Sequence, residues 1–457
     1  MNVLNHLKTT GRTTLMAFAV ALLAASCSNN DYVNAIPSSA TAIVKVDVKQ
    51  LGVEEGTKAF ASLLPKDINV EGCGVDWSST AYAFETVDGN FGICAKVKSE
   101  SQLKETFEKA NSEGKCGSLR KQGDFTFTDI NNCWAVGFSS KALIVVGPVS
   151  AAALGDAQRK ITKMLRQDED ASIITRPMFA KLDSMESSVA MVAQVQALPE
   201  KMVAPFTIGA PKDADASQVL VAVDFDKEDK VVRMKGETFS FNKSVDEALK
   251  KANSTYRKIN GDFLDKIPNT CSIGLFTNVD GKQFLPLLQN NKALQALLLG
   301  INTAIDFDNI IRSVDGDLTF TTAALGGSDN MDMTMFAKVK NPAWTADVDY
   351  WKQSCAKGCS ITGTNGAWSY NGGNTRFAFG LEGDMFYGTT DAKLVPEYKG
   401  EKPQPIADKL KKEIQGNRMV LMLNIKGLTQ GEALSAGVGS IVKPILGDVD
   451  AVIYVVK

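Results

Sequence analysis

The chain has 457 residues, 44% hydrophobic and 22% charged, with a mean hydropathy of -0.07 and a formal net charge of -2. That length accommodates two large domains, the composition leaves no collagenous, low-complexity or disordered bulk, and the mild acidity argues against nucleic acid, which needs a basic stripe. The single histidine, His6, lies in a segment expected to be removed, which excludes Ser-His-Asp and Cys-His catalysis and every His-containing metal site.

Residues 1–26 read as a signal peptide: Lys8 and Arg12 precede an apolar run from Leu15 to Ala25, which is too short to span a bilayer. The LAASC that ends at Cys27 resembles the lipobox of bacterial lipoproteins, although Ala24 stands where leucine is usual. The resemblance implies cleavage before Cys27, lipidation of its thiol and membrane attachment through more than one acyl chain. Removal of the signal leaves 48 basic against 52 acidic residues. Residues 27–36 form a tether in which only Asp31 is acidic, so that an outer-membrane lipoprotein could sit on the periplasmic face or the cell surface.

From there the chain repeats itself. Ile36-Pro37 opens the first copy and Ile267-Pro268 the second, each followed by an alternating strand, at Ala42 to Val48 and from Ser272. Helices are expected at Val53 to Leu64 and Lys282 to Leu299, then a turn and strand at Gly74 to Thr86 and Ser313 to Ala323. A strand ending in AKVK comes next in both copies, followed by an amphipathic helix. In the first, Ser99 and Gln102 suit a capping box, and Leu103, Phe107 and Ala110 fall on one face. In the second, Asn341 is expected to cap, Pro342 to take the first turn, and Trp344, Val348 and Trp351 to repeat the spacing.

Short strands with turn signals follow. Gly123 to Asp129 precedes Gly366 to Gly372 by 243 places, which sets Phe125 and Phe127 against Trp368 and Tyr370. Trp134 to Phe138 and Phe377 to Leu381 share that offset, a pattern expected of an antiparallel meander. Helices at Ala151 to Arg166 and Pro405 to Gln415 precede strands from Val189 and Arg418, then from Ser217 and Asp450. The first copy adds a strand at Lys230 to Phe241 and a helix at Val245 to Tyr256. The fold expected is α+β, with repeats over 37–261 and 262–457, each a largely antiparallel sheet with helices on one face.

Candidate sites are few. Besides Cys27 there are seven cysteines, an odd number. Cys116 could reach Cys133, and Cys355 lies one turn from Cys359 if the helix continues, but buried free thiols are the plainer reading. CxxC spacing is missing, so no metal is expected. Asp224, Asp226, Glu228 and Asp229 lack a calcium-ligand ladder and read as a polar hairpin turn. Trp134, Trp344 and Trp351 read as core, while Trp77 and Trp368 stay open as a carbohydrate platform. Ser184, in Asp183-Ser184-Met185, fits a short O-glycosylation acceptor pattern. SxxK occurs at Ser101, Ser240 and Ser440 without its companion motifs, and no nucleotide-binding, zinc-protease or hydrolase signature is present. No cofactor is implied.

With its lipobox, its Ile-Pro openings and its two long copies, the chain resembles the uncharacterised Bacteroidetes lipoproteins of a domain-of-unknown-function family. The resemblance implies a location without a chemistry. The expected role is non-enzymatic binding or assembly of a partner protein or envelope component. The alternative is a glycan hydrolase, which can work through two carboxylates without histidine.

Overall fold

The computed structural model describes residues 31–51, 72–198, 200–302, 304–322, 332–372, 375–429 and 449–456. Cys27, the helix expected at 53–64 and Ser440 lie outside them. The chain divides after Ser184 into two compact units. Both are of mixed α+β type, with mostly antiparallel sheets.

The first unit carries β1 (Ala42–Val46), β2 (Ala81–Glu85), β3 (Phe91–Lys96), β4 (Arg120–Gln122), β5 (Phe125–Ile130), β6 (Trp134–Phe138) and β7 (Ala142–Gly147). They pair in the order β1-β2-β3-β7-β6-β5-β4, and every pairing is antiparallel. Between β3 and β4 runs α1 (Glu100–Ser112), where Ser99 accepts the Gln102 N–H as N-cap and Leu103, Phe107 and Ala110 are buried. These three pack with Ile93, Val136 and Val145 from the sheet, which is why the i, i+4, i+7 spacing was readable. Two further helices follow β7: α2 (Leu154–Arg166) and α3 (Pro177–Asp183).

In the second unit the strands are β8 (Val189–Gln194), β9 (Leu220–Glu228), β10 (Val231–Phe239), β11 (Ile273–Asp280), β12 (Val314–Thr322), β13 (Met333–Val339), β14 (Cys359–Thr364), β15 (Ala367–Gly372), β16 (Thr375–Glu382), β17 (Met385–Thr389), β18 (Met419–Asn424) and β19 (Ala451–Val456). The ladder runs β8-β9-β10-β19-β18-β11-β12-β13-β17-β16-β15-β14. Only β10 and β19 pair in parallel. The compact second unit starts well before Gly261 because β8, β9 and β10 enter this ladder through β19.

The helices between these strands cover its faces. They include α4 (Gly281–Asn290), α5 (Lys292–Asn302), α6 (Phe307–Arg312), α7 (Val348–Ser354) and α8 (Asp408–Ile414). Ahead of α7, residues 343–347 form a 3-10 turn, and Asn341 adopts φ 52° instead of capping with its side chain. Trp344, Val348 and Trp351 are nevertheless buried as their spacing required, with the two indoles stacked at 6.0 Å.

A buried carboxylate fixes the entry to β11. Asp317, 1% exposed, faces Asn278 across the β11–β12 ladder and accepts its amide at 2.8 Å. It also accepts the N–H groups of Asn260, Gly261 and Asp262 at 2.9, 2.6 and 3.0 Å. Gly261 sits at φ 93°, a conformation that favours glycine and turns successive amides toward one anion. Asp317→Ala strands these donors and is expected to lower stability by about 3 kcal/mol, read as a shift of the urea unfolding midpoint. A shift within error would mean that the loop is held by other contacts.

Candidate functional site

One row of side chains crosses the second unit's sheet from strand to strand. Leu275 on β11 stands opposite Phe320 on β12, Phe320 opposite Met335, Met335 opposite Gly388, Gly388 opposite Phe379, and Phe379 opposite Trp368. Every position but Gly388 carries a large apolar side chain. At Gly388 the row lacks a side chain, and the Phe386 ring leans over the glycine, so that a Cβ built there would lie only 3.3 Å from it.

Over this glycine lies a cavity of about 440 Å³, within the range of small-molecule sites. Phe320, Met335, Phe379 and Phe386 form its floor, with Tyr370 and Phe377 toward β15 and β16. Ile301, Ile305 and Phe307, from α5, the turn after it and the start of α6, form the opposite wall. Its polar groups are neutral. Thr334 and Thr389 turn their hydroxyls to the opposite face of the sheet, where they share a hydrogen bond of 2.7 Å, which leaves Thr390 beside them at the cavity. A hydrogen bond with Cys359, followed by burial, pushes the Tyr370 phenol up to about 12. No described lining residue is charged, so the cavity favours an uncharged, apolar ligand with at most a hydroxyl or carbonyl to satisfy.

A second cleft, also of about 440 Å³, opens where β12 and β13 meet α4 and α6, and its walls include Asp280, Lys282, Arg312, Asp315, Lys340 and Asp347. Asp280 caps α4 by accepting the Lys282 N–H at 2.9 Å. Asp315 accepts from Arg257 Nη1 at 2.9 Å and lies 3.8 Å from Lys340 Nζ. The Arg257 guanidinium holds its carboxyl below the usual range. A glycosidase needs the reverse, a carboxylic acid kept protonated beside a carboxylate.

The residues singled out in the sequence are scattered. All seven described cysteines are free thiols. Cys116 Sγ donates to Phe107 O at 3.2 Å, and Cys133 Sγ lies 3.8 Å from Ile130 O. Cys355 is the C-cap of α7 and Cys359 opens β14, so the helix does not carry both on consecutive turns. Ser184 is exposed at the end of α3, where its hydroxyl donates to Lys181 O at 2.7 Å.

The acidic group falls on the β9–β10 hairpin, whose turn residues Asp229 and Lys230 take φ of 44° and 66°. Asp226 and Glu228 contact Arg233 at 3.3 and 3.5 Å. Among the described residues no cluster of three metal-ligating side chains occurs, and no helix is long and apolar enough to cross a membrane. Trp368 belongs to the core beside Phe379. The sequence offered no signal for Gly388, Met335 or Phe320, whose neighbours come from strands far apart in the chain.

Burial pushes the Cys94 thiol far above its usual range and the Cys271 thiol up to about 12. In the native protein near pH 8 these two are expected to resist a thiol reagent while the half-buried Cys133, Cys355 and Cys359 react, and all seven should titrate after unfolding. A shortfall of two thiols in the unfolded, unreduced chain would reveal a disulfide.

The model of DUF4836, a domain of unknown function, matches residues 67–418. No curated protein and no solved structure matches the chain. Because the match covers well over half of its length, the protein belongs to the DUF4836 family.

Proposed function

We propose that this protein is a non-enzymatic, lipid-anchored binding protein of the bacterial envelope, assembled from two divergent copies of one α+β unit, and that its second copy takes an uncharged apolar ligand. The reading as a copy pair rests on matching ladders. The order β1-β2-β3-β7-β6-β5-β4 has the same sense as β11-β12-β13-β17-β16-β15-β14, and β8–β9 is antiparallel like β18–β19.

Individual hydrogen bonds recur as well. Val97 N donates to Lys141 O at 2.9 Å, and Val339 N to Asp384 O at 2.8 Å. At the Ile-Pro openings, Ile173 N donates to Ile36 O at 3.0 Å and Ile406 N to Ile267 O at 2.9 Å. By this count α8 matches α3, not α2, the helix that the sequence spacing had set against it.

The observation that carries the binding role is the uncharged apolar cavity over Gly388. Counting along the ladders, the first unit's row reads Val44, Ala83, Ile93, Val145, Val136, Thr128. Val145, buried at 2% exposure, stands where the second has Gly388. The first copy thus carries a side chain where the second has none and lets the Phe386 ring lean over the strand. Two of the three carboxylates of the polar cleft, Asp280 and Asp315, are tied to a helix cap and to Arg257, which favours binding over hydrolysis.

Gly388→Val installs the first unit's residue in the second. It is expected to weaken binding of a neutral apolar fluorophore, N-phenyl-1-naphthylamine, at least tenfold, as is Ala304→Phe, whereas Arg312→Ala in the polar cleft should leave it unchanged. Equal affinity in both cavity variants, with melting temperatures retained, would sink the ligand site. The anchor is tested separately: in cells, Cys27→Ser should move the chain from the detergent phase to the aqueous phase on Triton X-114 partition, and an unmoved chain would overturn lipidation.

A further inference from the structure

We propose that the outer edge of β14, which pairs with no strand among the described residues, pairs with the same edge of a second copy, forming a two-fold dimer. The inference rests on the hairpin geometry and on the charge of the strand. Thr364 and Ala367 close a two-residue loop whose residues, Asn365 and Gly366, have φ of 56° and 86°. This primed turn makes Thr364–Ala367 a hydrogen-bonded pair.

Alternation then assigns the bonds to β15 to residues 360, 362 and 364, and turns the backbone groups of Cys359, Ile361 and Gly363 outward. The Cys359 N–H is used within its own turn, donating to Ala356 O at 2.9 Å. Ile361, with its side chain in the core, offers both N–H and C=O to the open edge, as does Gly363.

Natural sheets blunt such edges with charge, proline or a bulge. The terminal strand of the first unit's ladder, β4, does so with Arg120 and Lys121 fully in solvent. By contrast β14 reads Cys-Ser-Ile-Thr-Gly-Thr, with no charge and no proline, and Ser360, Thr362, Gly363 and Thr364 are exposed.

Antiparallel self-pairing centred on Ile361 sets it opposite its own copy, Gly363 opposite Cys359, and Ser360 opposite Thr362. Both groups of Ile361 then meet their own copies at hydrogen-bonding positions, and the Gly363 N–H meets the Cys359 C=O, while the Cys359 N–H stays in its own turn. The exposed hydroxyls face one another in a cross-strand pair that is favourable in sheets, and no like charges meet. The same operation on β4 would oppose cation to cation. A second copy therefore satisfies this edge with the symmetry typical of homodimers.

Sedimentation velocity of the full chain over a concentration series tests this. The wild type is expected to rise from monomer toward twice its mass. Ser360→Lys/Thr362→Lys, whose changes lie on exposed side chains, should stay monomeric with an unchanged melting temperature, as should Ser360→Glu/Thr362→Glu. Mixing these two variants sets acid opposite base across the two-fold and should restore a mixed dimer, a result that misfolded variants could not give. A wild type that stays monomeric throughout, or a double-lysine variant that dimerises like it, would overturn the proposal.

Discussion

The parallel pairing of β19 with β10 is the constraint on which the second unit depends. Val231 to Gly236 run alongside Ala451 to Val456, and the other edge of β19 bonds antiparallel to β18. Without this strand, β8, β9 and β10 would have no ladder bonds to β18, β11 and the strands beyond. Its sequence fits the position: five of the six residues in Ala-Val-Ile-Tyr-Val-Val are buried, as expected of a strand covered on both faces. Gly236 lets the Tyr454 ring close over β10, since a Cβ there would stand 2.7 Å from the ring. Phe206 meets that ring edge-on at 4.9 Å. Completing the sheet therefore waits on residues more than two hundred positions apart, the kind of long-range contact that slows folding.

Much of this architecture could be read from the sequence, because local periodicity reports which face of an element is buried. The helix after each AKVK buried the three residues that its spacing picked out, and the acidic stretch near Asp226 became a hairpin turn. Each of these depends only on residues close in the chain. The caps were less legible. Ser99 accepts one backbone N–H as foreseen, whereas Asn341 enters a 3-10 turn through a left-handed backbone conformation.

Register was the weakest inference, for a reason intrinsic to strands. A constant offset of 243 sets Phe125 and Phe127 against Trp368 and Tyr370. The observed ladders instead put Thr128 opposite Val136 and Trp368 opposite Phe379. With the ladders matched strand for strand as we propose, Trp368 corresponds to Thr128 and Tyr370 to Ile130, a slip of three places. The β5–β6 connection, between Ile130 and Trp134, is one residue longer than the β15–β16 connection, between Gly372 and Thr375. An odd slip exchanges the two faces of a strand. Phe127 accordingly faces Gly137 and Ile161 of α2, on the side away from Val136 and Val145. Alternation shows that a strand has two faces; only the pairing shows which is which.

The cavity was hidden by the same limit in a stronger form. Its strand-borne lining is drawn from β12, β13, β15, β16 and β17, one to three residues from each, so nothing within any one segment announces it. The decisive residue is a glycine, which in a strand already lacks packing and costs backbone entropy. A Cβ at Gly388 would meet the Phe386 ring at 3.3 Å, so a side chain could be seated there only if that ring gave way. The glycine admits that ring, and the opening above it is lined, among the described residues, by phenylalanine, methionine and isoleucine with no charge. An apolar ligand seated at Gly388 would recover the buried contacts that the glycine omits.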